Sequence, residues 1–229
     1  MFSNPIFIRF RNLLRKIGIL KILKTFISTN TEYEYRFHNE MIKSLKKDMT
    51  VFDIGANIGL YTKIFAEKVK EKGHVFAFEP SHESALKIND LRTTYPWITI
   101  IESVIGDEDK DVMFEINEKN PTSVVNKVAS NPNNNNVKKE MITIDSICKK
   151  YKIPNLIKID VEGFELNVLN GAKNTLKNST LKHVFIEIHF SILEEMGETF
   201  GPKKIQTLLK SNGFKIKYLD FSHIHAYRN

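Results

Sequence analysis

From residue 49 onward, short apolar runs alternate with helical patterns, and this rhythm restricts the fold more than any other feature of the chain. "MTVFDIG", "HVFAFEP" and "ITIIESVIG" read as strands, with "LYTKIFAEKVKEKG", closed by Gly73, and "HESALKINDLRTTYP" as the helices between them. Further on, "LIKIDVEG", "LKHVFIEIH" and "FKIKYLDF" read as strands, and "FELNVLNGA" and "PKKIQTLLKSNG" as helices. Strands separated by helices need crossover connections. The expected fold is therefore α/β, a doubly wound and mostly parallel sheet covered on both faces. Between residues 107 and 143 the rhythm lapses into a β-hairpin insertion around the low-complexity run "NPNNNN", placed beside the carboxyl ends of the strands where it could wall a substrate site.

Charge separates the chain into two parts, a basic amphipathic extension over residues 1–30 and a single domain over 31–229. Arg9, Arg11, Arg15, Lys16, Lys21 and Lys24 carry six of the seven net positive charges, and residues 1–28 contain no acid. The remaining body is nearly neutral, which argues against a general nucleic-acid footprint. Within the extension the apolar stripe changes sides after Gly18, so a break is expected there. Three roles fit such a segment: packing on the domain or on a second subunit, docking on an anionic membrane surface, or acting as a cleaved presequence. No apolar run approaches the roughly 20 residues of a membrane span. The single cysteine, Cys148, allows no intrachain disulfide, sits at helical spacing as an apolar thiol, and fits a cytoplasmic protein that is at most peripheral to a membrane.

The loop "DIGANIG" does not match a phosphate-binding fingerprint. Gly55 is followed by Asn57 and Gly59 where a dinucleotide loop needs glycines at other positions, and no lysine completes a P-loop. Asp53 precedes the loop, and its charge repels pyrophosphate but suits a ligand bearing an ammonium and a sulfonium, as in S-adenosylmethionine. Glu79, 24 residues after Gly55 at the end of the next strand, can accept hydrogen bonds from both ribose hydroxyls. After the third strand, Asp107 is placed to receive an adenine amino group, with Ser103 close by. Each acid also has a plain structural use, in a cap, a turn or a polar hairpin. Their order after three successive strands is what points to a ligand.

On "VFDIGANIGLYT", "FAFEP", "IGD", "TIDSI", "LIKIDVEGFELNVLNGA" and "FIEIH", the chain resembles the FkbM-type family of S-adenosylmethionine-dependent methyltransferases over roughly residues 48–216. The resemblance implies a seven-stranded Rossmann-like sheet with a reversed last strand. It also implies methyl transfer to an oxygen, commonly a hydroxyl of a sugar, glycan or secondary metabolite. The cofactor contacts it implies are Asp53, Gly55, Ala56, Asn57, Gly59, Glu79, Pro80, Ser103, Asp107 and Asp160. One departure is Asp48-Met49-Thr50, which replaces a more usual glycine–aspartate turn before the first strand.

Transfer to an alcohol needs a base at the carboxyl ends of the fourth and fifth strands, where Asp160, Glu162, Glu187 and His189 stand. Strand alternation turns Asp160 and Glu162 to one side, and Glu187 and His189 likewise. His189 is expected as the base, with Glu162 as its orienting partner or the alternative base, and Asp160 near the methionyl end of the cofactor. The same four residues could offer ligands to a divalent ion, but no coordination geometry is legible and the site is read as metal-free. Methylation of an amine is the second activity considered, although an Asn/Asp-Pro-Pro-aromatic motif is absent. A non-catalytic binding protein on the same fold is the third reading.

Overall fold

The computed structural model describes residues 30–115, 127–128 and 136–229. The expected break near Gly18 and most of the asparagine run lie outside them. Helix α1 (Asn30–Ser44) leads into β1 (Thr50–Ile54), α2 (Leu60–Val69), β2 (His74–Phe78), α3 (His82–Leu91) and β3 (Ile98–Ile101). The insertion contributes β4 (Val104–Ile105), β5 (Lys110–Glu115), β6 (Lys127–Val128) and β7 (Asn136–Ile142). Then come α4 (Ile144–Lys150), β8 (Leu156–Ile159), α5 (Glu165–Asn170), α6 (Lys173–Lys177), β9 (His183–Glu187), α7 (Phe190–Glu195), α8 (Gly201–Ser211), β10 (Lys215–Tyr218) and β11 (His223–Tyr227).

Seven strands form the main sheet in the order β10-β11-β9-β8-β1-β2-β3. The five from β9 to β3 are parallel, whereas β11 is antiparallel to both β9 and β10. This is the reversed strand, and it comes from "HIHAY", where two histidines interrupt the apolar pattern and hide the strand from periodicity. "ITIIESVIG" is not one strand: β3 ends at Ile101, and β4 crosses into a second sheet of order β4-β7-β5-β6.

Residues on β1 alternate between two apolar cores: Phe52 and Ile54 join the cluster on one face, and Val51 joins that on the other. A parallel strand buried on both faces reads as a continuous apolar run, so a charge within it is costly and informative. Asp53 in β1 and Lys158 in β8 are such charges. Because β2 and β8 flank β1 on opposite sides, the carboxyl ends of β1 and β8 bound the crevice where open α/β sheets take their ligands. The turn that leads into β1 keeps a left-handed residue without its glycine: Asp48 has φ 66°.

Candidate active site

The loop after β1 is shaped by close backbone approach. Gly55 has φ 75°, and a Cβ there would lie 1.8 Å from the Asp160 carbonyl oxygen, so only glycine lets this loop lie against the turn after β8. Asn57 also takes a left-handed conformation, with φ 48°. Its amide donates to Glu79 Oε2 at 2.8 Å, and the Ser81 amide donates to Glu79 Oε1 at 2.8 Å. Glu79 therefore ties the loop to the end of β2. Burial pushes its pKa up against the opposing effect of these two donors. Each carboxylate oxygen keeps lone-pair capacity for a further donor. Ala56 is buried, and Pro80 lies half-buried beside Glu79.

Asp53 is fully buried rather than open to the crevice. Thr62 Oγ1 donates to its Oδ2 at 2.6 Å, and Lys158 Nζ stands 3.2 Å from its Oδ1. The parallel register of β1 and β8 sets Asp53 opposite Lys158. Lys158 also donates to the Gly55 carbonyl at 3.1 Å and lies 3.5 Å from Asp160 Oδ2. Burial works against its charge, but Asp53 and Asp160 outweigh it and hold its pKa above the ordinary lysine range. One buried ammonium thus joins Asp53, the glycine loop and Asp160. Sequence reasoning missed Lys158, although a lone lysine inside the apolar run "LIKI" was a usable signal.

Strand alternation does not place the carboxylates, because β8 ends at Ile159 and β9 at Glu187. Glu162 instead sits on a left-handed turn with φ 48°, followed by Gly163 at φ 94°, and His189 is the N-cap residue of α7. A non-glycine residue in this region costs on the order of 1 kcal/mol and marks a position over-determined by its surroundings. The outcome is convergence on one imidazole. His189 Nε2 lies 3.5 Å from Glu162 Oε2, 3.8 Å from Asp160 Oδ1 and 3.9 Å from Glu187 Oε1.

The other ring nitrogen is fixed from behind. His189 Nδ1 meets Glu165 Oε1 at 2.7 Å, and Glu165, 0% exposed, also accepts from the Gly163 amide at 2.9 Å. Burial lowers the pKa of His189, but Glu165, Glu162 and Asp160 overcome this and push it up to about 9. At neutral pH the ring is an imidazolium with no lone pair to take a proton. Glu162 moves the other way for a carboxylate: burial raises its pKa to about 7, even with His189 pulling it down. Of the two groups, Glu162 is the one poised near neutrality.

A second imidazole stands behind Glu187. Asp220 Oδ2 holds His223 Nδ1 at 2.8 Å, and His223 Nε2 faces Glu187 Oε2 at 3.3 Å. Despite its burial, His223 is raised to about 9 by Asp220 and Glu187. Glu187 is held below its ordinary value, because His223 and His189 overcome its burial. Neither Asp220 nor His223 was singled out in the sequence.

Ser103 and Asp107 take other partners. Ser103 is buried and its hydroxyl donates to Glu140 Oε2 at 3.4 Å, while exposed Asp107 accepts from Asn167 Nδ2 at 3.2 Å. Asp160, Glu162 and His189 bring one atom each within 4.8 Å of one another, a spacing that a divalent cation could span.

Comparison with known proteins gives the family and the fold. The model of the methyltransferase FkbM domain matches residues 53–216, well over half of the 229 residues. A relative in Haloferax volcanii, the hexuronic acid methyltransferase AglP, is 28% identical over 174 residues, covering 74% of this chain and 64% of its own length. The chain thus spans under two thirds of that relative. Among solved structures, a putative rRNA methylase from Clostridium thermocellum superposes with a TM-score of 0.50 at 12% identity, covering 87% of this chain and 94% of that one. A fibrillarin from Aeropyrum pernix, solved with bound S-adenosyl-L-methionine, gives 0.49 at 12% identity over 80% of this chain and 66% of that one. The chain belongs to the FkbM methyltransferase family. Its methyl donor is S-adenosylmethionine.

Proposed function

We propose that this FkbM methyltransferase methylates a hydroxyl oxygen of a sugar, a glycan or a secondary metabolite, with Glu162 taking the hydroxyl proton. The observation that carries this reading is the half-buried Glu162 carboxylate beside the His189 ring, at the carboxyl ends of β8 and β9. The name of the Haloferax volcanii relative, a hexuronic acid methyltransferase, favours a sugar acceptor.

The residues at the crevice fit the donor. Gly55 keeps the loop free of any Cβ where it lies on Asp160, and the Glu79 carboxylate can accept from a ribose. Asp160, half-buried, offers negative charge to an ammonium or sulfonium. Asp53 supports this cradle through Thr62 and Lys158 instead of lining it. When bound, S-adenosylmethionine supplies a methyl group already activated on a sulfonium, so alignment of the acceptor provides much of the acceleration.

The chain's own contribution is to position and deprotonate the acceptor. S-adenosylmethionine would supply the methyl group to the acceptor oxygen and leave as the thioether, while the hydroxyl proton would pass to Glu162. The products are a methyl ether and S-adenosylhomocysteine. His189, held by Glu165, fixes Glu162 and balances its charge. A positioned base contributes about 10²- to 10⁴-fold. Replacing Glu162 by Gln should therefore lower turnover by that order while calorimetry still shows cofactor binding. Full turnover in Glu162→Gln removes it from the chemistry, and equal loss in both assays makes its role structural.

A further inference from the structure

His189 faces the crevice with a donor that the described residues leave without a hydrogen bond. Its Nδ1 is taken up by Glu165 at 2.7 Å, but around Nε2 the carboxylate oxygens stand off, Glu162 Oε2 at 3.5 Å, Asp160 Oδ1 at 3.8 Å and Glu187 Oε1 at 3.9 Å. These separations exceed the roughly 2.7–3.2 Å of an N–H···O bond. The ring is set back from bulk water, with 15% of its side chain exposed. A group that completes such a seat must accept from the ring and donate to a carboxylate at once. A hydroxyl does both. A protonated amine has no lone pair for the ring, and a carbonyl has no proton for the acids.

Glu187 is held differently from Glu162, although both face the same ring nitrogen. His223 Nε2 meets Glu187 Oε2 at 3.3 Å, and Asp220 Oδ2 holds the other side of the His223 ring at 2.8 Å. The two histidines thus repeat one device, a carboxylate behind the ring and a carboxylate in front. Against its burial, His223 and His189 keep Glu187 below the ordinary carboxylate value, so it stays ionised where Glu162 titrates. A carboxylate held in that state takes no proton and serves as a hydrogen-bond acceptor. Because Oε2 is engaged by His223, Oε1 is the oxygen turned toward His189, and 32% of the side chain remains exposed. Asp160 stands 3.5 Å from Lys158 and is the carboxylate offered to the cofactor, which leaves Glu162 and Glu187 to the acceptor.

We infer that Glu187, positioned by His223 and Asp220, is an acceptor-binding residue, and that the acceptor is a vicinal diol. One hydroxyl sits on His189 Nε2 and faces Glu162, and its neighbour donates to Glu187 Oε1. This assignment rests on the oxygen-methylation reading and narrows its acceptor class. Since the two carboxylate oxygens lie 3.5 and 3.9 Å from one nitrogen, two hydroxyls that reach them must themselves be adjacent, as on neighbouring carbons. A lone hydroxyl would leave Glu187 without a donor, and a charge-assisted bond of this kind is worth about 10-fold or more in affinity.

Simple probes added to the full chain loaded with S-adenosylhomocysteine test this without the natural acceptor. The trans vicinal cyclohexanediol should shift the ring-proton resonances of His189 and His223 saturably. Cyclohexanol, and the isomeric diol with its hydroxyls on opposite carbons, should bind about 10-fold more weakly. Glu187→Gln should abolish this preference, and His223→Gln, read on His189, should reduce it. Circular dichroism and calorimetry should show that both variants keep the fold and S-adenosylhomocysteine binding. Equal binding of the vicinal diol and cyclohexanol, no saturable response to the diol, or an undiminished preference in Glu187→Gln overturns the assignment. Failure of the oxygen-methylation reading is a separate outcome, seen as label on nitrogen alone when the parent is given labelled S-adenosylmethionine.

Discussion

Glu165 and His189 are joined at 2.7 Å across the turn that carries Glu162, and this contact sets the protonation state of the site. A fully buried carboxylate on Nδ1 keeps the ring charged, and the charged ring then faces three more carboxylates through Nε2. Glu165→Gln should lower the pKa of His189 toward its ordinary value, as followed by NMR titration of the ring proton. Turnover should fall with it, because Glu162 loses its counter-charge. An unchanged His189 titration would show that Glu165 is a bystander.

The pH dependence of catalysis follows from the same pair. Glu162 must be deprotonated to act, and its pKa is raised to about 7. His189 must be protonated to hold it, and its pKa is raised to about 9. The kcat/KM profile should therefore rise through about 7 and fall above about 9, the two limbs belonging to the coupled cluster as a whole. With His189 as the base, the rising limb would instead lie near 9, which a pH series distinguishes.

Stability should respond to alkali in a direction fixed by the two histidines. His189 and His223 each have a folded pKa of about 9 against an ordinary 6.5. Their contribution is fully present below about 6.5 and is lost as pH rises through about 9, on the order of 3 kcal/mol for each. Chemical denaturation from pH 6 to 10 should show this decline. His223→Gln should flatten it by about half.

The buried pair beneath the loop makes Asp53 a structural residue first. Asp53→Ala leaves Lys158 with one partner fewer in a dry environment, and removal of one member of such a pair costs about 3 to 5 kcal/mol. Asp53→Asn should cost less, because Thr62 can still donate to the amide oxygen. Thermal unfolding orders the two variants. Equal stability of Asp53→Ala and the parent would contradict the assigned pair.

Gly55→Ala tests the loop itself. The added methyl would meet the Asp160 carbonyl at 1.8 Å on a backbone with φ 75°. It should abolish S-adenosylmethionine binding in calorimetry even in whatever fraction remains folded.

Much of the architecture was legible because parallel strands buried on both faces leave continuous apolar runs, and glycines and acids mark their carboxyl ends. β11 escaped because His223 and His225 look polar in sequence, yet both are buried. Spacing marked the glycine loop and Glu79, which the structure ties together through the Asn57 amide. The role of Asp53 could not be read that way, since its register partner Lys158 is 105 residues away in the chain. Nor could the base be chosen from residue types. His189 has an ordinary pKa near neutrality, and only the convergence of Glu165, Glu162 and Asp160 on its ring, visible in the structure, pushes it up to about 9.

The account rests most heavily on oxygen methylation with Glu162 as base. Incubation with S-adenosylmethionine labelled in its methyl group and a panel of sugars and glycans, followed by mass spectrometry of the products, measures this directly. The predicted result is a labelled methyl ether formed by the parent and strongly reduced in Glu162→Gln. Label found only on nitrogen, or an equal yield of ether from Glu162→Gln, would contradict it.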